Sequence, residues 1–320
     1  MYRLVALFMS LLAAYPQAAL SQDYPRRPIK MIMPNAPGAS VDVIGRIVAL
    51  KLGEALGEQI VVENRAGAGG AIGMEGLKNA APDGYTVLGA STAAMAIIPN
   101  LRKNLPYDPL KDFAYVSLYA ITPNALVVNP NVPAASTREL IAYLKARGPQ
   151  TNMASAGPGS QSHLAGVLFM QMTGAQSVHV PYKGGGPSVA SIMANESQWS
   201  ITPAPAVVAF LKQNRLRMLA HSLPERSPLF PGVPTIGEAV PGYTYSGWTG
   251  LMLPRGTPQP VIEKLRGTLL KVAATPEFRA MISNQGAVVQ TSTPEEFAKL
   301  VATEIEAMGK AVRAANLTIE

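Results

Sequence analysis

The sequence predicts an α/β protein of two domains, each a mostly parallel sheet flanked by helices. Three observations predict it. Short apolar runs alternate with stretches of 3.6-residue periodicity, and 28 Gly and 28 Pro in 320 residues fall between them as punctuation. One corner, a strand end followed by a small-residue loop and then a helix, is written twice: PNAPGASVD at 34–42 and SAGPGSQSH at 155–163. With 48% hydrophobic and 15% charged residues, the chain can bury a large core and has room for about two domains.

Each element follows from a local pattern. IKMIM (29–33) reads as a strand stopped by Pro34, and apolar residues at 41, 44, 48, 52 and 56 make a helical stripe. QIVVE (59–63) is the next strand, 71–81 the next helix, and Pro82-Asp83-Gly84 turns the chain into a strand at 85–89. Strand material fills 115–128. Ser136 with Glu139 makes a capping box before a helix at 140–147. A second set of units follows: strands near 152, at 177–182, near 200 and at 216–221, with helices at 164–173, 188–194 and 206–213. The Pro-rich, aromatic stretch 224–253 reads as a return crossing between domains. Thr257-Pro258, Thr275-Pro276 and Thr293-Pro294 each offer an N-cap followed by Pro at the first helical position.

The first residues read as an address. Arg3, an apolar run at 4–14 and small residues around Ala19 to Ser21 have the layout of a signal peptide cleaved after Ser21, and the run is too short to span a bilayer. The chain has no Cys, which excludes thiol nucleophiles, thiolate metal sites and disulfides and suits an exported, periplasmic protein. Its formal charge of +7 favours anionic partners, but the Lys and Arg residues are scattered, with no basic stripe for nucleic acid.

The two corners carry the functional signal. A helix N-terminus opening out of a Gly-rich loop presents free backbone N–H groups and the positive end of a dipole, which favours an anion without any cation. Catalytic constellations mostly fail. Gly38-Ala-Ser40-Val-Asp42 resembles a nucleophile elbow with Asp in place of the last Gly, and Ser160, Ser162 and His163 lack an orienting acid. His163, His179 and His221 have no metal-ligand spacing, so neither metal nor cofactor is expected. RAGAGGAIG (65–73) misses the dinucleotide fingerprint by one position and reads as a tight backbone turn.

The runs YPRRPIKMIMPNAPGASVDVIGRIVA, VVENRAGAGGAIGMEGLKNAAPDGYTVLGAS, LPYDPLKDFAYVSL, NMASAGPGSQSHLAG, VHVPYKGGGPSV and GTPQPVIEKL resemble the Bordetella uptake gene (Bug) family, over nearly the whole mature chain. These are periplasmic substrate-binding proteins of tripartite tricarboxylate transporters. The resemblance implies a two-lobed periplasmic-binding-protein fold of type II, a Venus flytrap, closing on a small carboxylate for delivery to inner-membrane transporter subunits. The lobes would be 22–123 plus 244–320 and 124–243, bending near 122–127 and 243–250, and a monomer is expected.

Carried over by position, the first loop supplies Ala36, Pro37, Gly38, Ala39, Ser40 and Asp42, and the second supplies Ser155, Ala156, Gly157, Gly159, Ser160, Ser162 and His163. Ser91 and Thr92 match positions near the cleft, and Tyr182-Lys183-Gly184 match a loop facing it. Asp42 reads better as a brace for its loop than as an anion contact, and Lys183 as either solvated or ligand-pairing. Departures from the family pattern bear on specificity. Asn35 replaces an aromatic, Ala39 replaces a Gly, and the altered segment 195–205 would put Thr202 and Ala204 at the cleft. Trp199 is read as strand core or as cleft wall. Two other functions stay open: a periplasmic sensor for a signalling partner, and an exported hydrolase using Ser40 or Ser160.

Overall fold

The computed structural model describes residues 24–314, so the signal-peptide expectation lies outside the described residues. Ten strands and nine helices are used below: β1 (Ile29–Met33), α1 (Ser40–Leu56), β2 (Ile60–Asn64), α2 (Ala71–Lys78), β3 (Thr86–Ser91), β4 (Phe113–Val128), α3 (Thr137–Arg147), β5 (Asn152–Ser155), α4 (Gln161–Thr173), β6 (Val178–Pro181), α5 (Gly185–Met193), β7 (Trp199–Pro203), α6 (Val208–Lys212), β8 (Arg217–His221), β9 (Ser246–Pro254), α7 (Gln259–Ala274), α8 (Pro276–Ser283), β10 (Val288–Val289) and α9 (Pro294–Ala314).

Two sheets share one strand. In the first, β2, β1 and β3 are parallel, with β9 antiparallel to β3 and to the first part of β4. In the second, β5 runs parallel to β6 and β7, while β7 and β8 are each antiparallel to the last part of β4. The changeover on β4 takes one step: Pro123 pairs with Ser246 of β9, and Asn124 pairs with Pro203 of β7.

Strand alternation distributes the cores. In β1, Ile29, Met31 and Met33 meet the stripe Ile44, Val48 and Leu52 of α1 and the apolar faces of α7 and α8, while Ile32 turns to the other side, toward α2 and Phe297 and Val301 of α9. Farther along β4, Leu126 and Val128 pack with Leu140, Leu164 and Phe169, while Ala125 and Val127 pack with Val189 and Ile192 of α5. Helices therefore cover both faces of both sheets, as parallel strands require.

Helix starts differ most from expectation. α4 begins at Gln161 and α5 at Gly185, three residues before the expected starts at 164 and 188, because their first turns carry no apolar residue to reveal a period. Ser136, Thr275 and Thr293 cap their helices through their side-chain oxygens. Thr257 does not: its hydroxyl donates to the carbonyl of Pro254 at 2.8 Å, and Pro258 takes the N-cap position of α7.

Candidate functional site

The first corner joins β1 to α1. Gly38 adopts a left-handed φ of +77°, and Ala39 stands at the N-cap with no side chain to cap the helix. The first-turn N–H groups at Ser40 and Val41 are left open where these residues line a cavity. Asp42 does not line it. Its buried carboxylate accepts from the N–H of Gly38 at 2.9 Å, from Asn64 Nδ2 at 2.8 Å and from Arg46 Nε at 3.0 Å. It therefore braces the loop from behind, and its negative charge is spent on three donors.

The second corner joins β5 to α4 and uses most of its own donors. Ala156 N–H donates to Ser162 Oγ, Gly157 N–H to Ser155 Oγ and Gly159 N–H to His163 Nδ1, at 3.0, 3.1 and 3.2 Å. Ser160 is the N-cap and accepts from the N–H of His163 at 3.2 Å. Ser155, Gly159 and His163 thus stand behind the loop and do not line the cavity. What the corner offers forward is the first-turn backbone at Gln161 and Ser162. Behind it the rings of His163 and His179 stack with centroids 4.0 Å apart, and His179 Nε2 meets the fully buried Ser155 hydroxyl at 2.6 Å. Burial, with His179 alongside, pushes His163 down to about 4, and burial also lowers His179.

A third helix N-terminus joins them, one the sequence reading placed three residues too late. After β6, Tyr182 and Lys183 lead into Gly184, at φ +122°, and α5 starts at Gly185 without a side-chain cap. This loop lies against the first corner. A Cβ at Gly184 would stand 2.6 Å from Ala36 Cβ, one at Gly185 3.3 Å from Ala39 Cα, and one at Gly186 3.0 Å from the Pro37 carbonyl oxygen. Only glycine permits this approach at Gly184, on space and on backbone conformation alike.

The three corners border a cavity of about 570 Å³. Of the expected residues, Asn35, Ala36, Ala39, Ser40, Ser91, Ala156, Gly157, Ser160, Ser162, Tyr182, Lys183 and Thr202 line it. Pro37 and Gly38 are exposed and do not line it, and Thr92 does not line it either, its hydroxyl accepting from the backbone N–H of Trp248 at 3.0 Å. Ala204 is fully buried in the core, and Pro203 and Ala206 line the cavity in its stead. Trp199 is core: fully buried, beside Phe169, its indole donating to Ser177 Oγ at 3.1 Å.

Several lining residues had no local signal as site residues. The turn at 66–70 is the tight backbone turn expected, with left-handed Gly67, Gly69 and Gly70, but it also forms one wall. Gln161, Arg102, Thr122, Trp248 and Thr249 line the cavity as well, and no Asp or Glu does. Four buried polar atoms of lining residues, Asn35 Oδ1, Ser40 Oγ, Ser91 Oγ and Arg102 Nε, have no hydrogen-bond partner. Buried polar atoms are normally satisfied, so these mark where a ligand or water would bind. Among the described residues no group of three His, Asp or Glu could hold a metal.

Behind the cavity floor the Trp248 indole donates to Glu304 at 2.6 Å, and burial pushes that carboxyl up to about 7 against the opposing effect of the hydrogen bond. Its folded value lies above the ordinary 4.5, so its contribution to stability is complete below pH 4.5 and is lost as pH rises through 7. Glu304→Gln keeps the acceptor and removes the charge. It is expected to stabilise the protein by about 3 kcal/mol at pH 8 and hardly at all at pH 4, read by urea denaturation at both values.

Two parallel-rich sheets joined by a shared strand, with helix N-termini converging on a cavity between them, define a two-lobed periplasmic-binding-protein fold. The family described as tripartite tricarboxylate transporter family receptor (TctC) matches residues 44–317. The chain is 38% identical to protein BugT of Bordetella pertussis over 317 residues, covering 98% of this chain and 97% of that protein. Among solved structures it is similar to R. palustris Rpa4515 with adipate (TM-score 0.90, 30% identity, 92% of this chain and 99% of the other). It is also similar to MatC from Rhodopseudomonas palustris with bound malate (TM-score 0.84, 29% identity, 90% and 100%). The chain belongs to the TctC family of receptors and is a solute-binding protein.

Proposed function

We propose that this protein captures a small carboxylate in the cavity and delivers it, from the periplasm, to the membrane subunits of a tripartite tricarboxylate-type transporter. The observation that carries this reading is the convergence of three helix N-termini, two of them without side-chain caps, on a cavity lined by unpartnered hydroxyls and no carboxylate. The lobes we assign are 24–123 with 244–314, and 124–243, with bending at the crossing strands β4 and β9. Contacts made by both lobes at once favour the shut form through differential affinity, and no bond is made or broken. The protein acts as a monomer, and the adipate and malate held by its structural relatives support the ligand class.

A hydrolase reading has little to rest on. Ser160 Oγ is engaged by His163 N–H and Ser162 Oγ, and Ser40 Oγ has no partner, so neither hydroxyl has a base. Thermal shift of ligand-stripped protein against mono-, di- and tricarboxylates, aromatic acids and acidic amino acids tests the proposal. A true ligand at 100 times its Kd is expected to add about 2.7 kcal/mol of stability. Silence from every carboxylate while a neutral sugar or a cation responds would overturn it.

A further inference from the structure

Arg102 is a cavity-lining cation that acts on the Tyr107 hydroxyl but has no carboxylate partner among the described residues. Its Nε is shut off from solvent and has no hydrogen-bond partner, and it enters no ion pair among the described residues. Lys183, the other lining cation, is exposed and keeps its water. A guanidinium is weakly hydrated and planar, with donors in a fork that matches a carboxylate; here the side chain is half-buried, and its Nε is the donor left shut off without an acceptor, which is costly.

The backbone places this group across one wall from the first corner. Gly70 packs against Pro34, Gly69 against Ile98, and the N–H of Arg102 donates to the Ile98 carbonyl at 3.1 Å. That turn is fixed in place: Asn100 Nδ2 donates to the carbonyls of Ala96 and of Ile305 in α9, at 2.9 and 2.8 Å. The backbone that carries Arg102 is thus a locked support, on a segment of the chain other than the three that supply the helix N-termini.

We propose that Arg102 is a specificity-determining residue, taking a second anionic group at the far end of the ligand so that this receptor selects dianions over monoanions. The inference rests on the cavity being a carboxylate site. A monocarboxylate would engage the helix N-termini and leave Arg102 unpaired in a lining without a single acid. A dicarboxylate of matching length satisfies both ends.

Titration calorimetry on stripped protein tests it, with the α,ω-dicarboxylates from succinate to suberate set against monocarboxylates of equal chain length. One dicarboxylate is expected to bind about 10- to 100-fold more tightly than its monocarboxylate partner, the range of a charge-assisted hydrogen bond. Arg102→Gln is expected to erase that preference while monocarboxylate affinity stays, and Arg102→Lys to restore part of it, with unchanged melting confirming that both fold. Equal affinities in the wild type, or a preference that survives Arg102→Gln, would overturn the role of Arg102 and leave the carboxylate reading standing. Failure of both series while a neutral solute binds would overturn the carboxylate reading itself, and this inference with it.

Discussion

Gly185→Leu is expected to weaken ligand binding by roughly 10- to 100-fold while the unliganded protein melts within about 2 °C of wild type. Gly185 has an ordinary φ and begins a helix, so Leu there brings no backbone strain. What Leu lacks is space: its Cβ would already stand 3.3 and 3.5 Å from Ala39 Cα and Cβ, and the rest of the side chain must displace the first corner. Overpacking of this kind costs about 1–3 kcal/mol, and under the proposed closing motion it falls only on the form in which the α5 loop lies on the first corner. Calorimetry and melting of the free protein separate the two states. Equal losses in affinity and in free-protein stability would make this a permanent packing contact and remove it from any closing motion.

The second large effect is on pH. His163 must be unprotonated at Nδ1 to accept from Gly159, and its folded value of about 4 lies below the ordinary 6.5. Between those values the unfolded chain binds the extra proton, so stability is complete above pH 6.5 and is lost as pH falls toward 4, by about 3 kcal/mol. Glu304 runs the opposite way over nearly the same interval and hides this slope in the wild type. In the Glu304→Gln background, urea midpoints are therefore expected to fall steeply from pH 7 to pH 4, and adding His163→Gln to make that fall shallower, with the buried His179 and His221 keeping the remainder. Ligand affinity is expected to follow, because protonating Nδ1 sets one N–H against another and loosens the second corner. A flat profile in Glu304→Gln would show that His163 does not hold the corner.

Much of the site could be read locally. The paired corners, the caps at Ser136 and Thr293 and the part of Asp42 as a brace for its own loop all follow from a few neighbouring residues. The third helix N-terminus was misplaced because Gly185, Gly186 and Pro187 show no period. Gly159 illustrates a different limit. Its place in the loop was legible, but its N–H is taken by His163, a partner that only the folded turn identifies.

The sequence by itself determined the α/β order and the strand-loop-helix corners, because these depend on periodicity and turn residues over a short stretch of chain. Tertiary structure decided which donors remain free and which distant groups join them. Arg102 and Trp248 come to the cavity from far along the chain, Asn124 ties Gln161 to the carbonyl of Tyr245 at the strand crossing, and the glycines of α5 meet the first corner. The physical reason is that a local pattern fixes the direction of a chain, whereas the satisfaction of a polar group depends on everything packed around it.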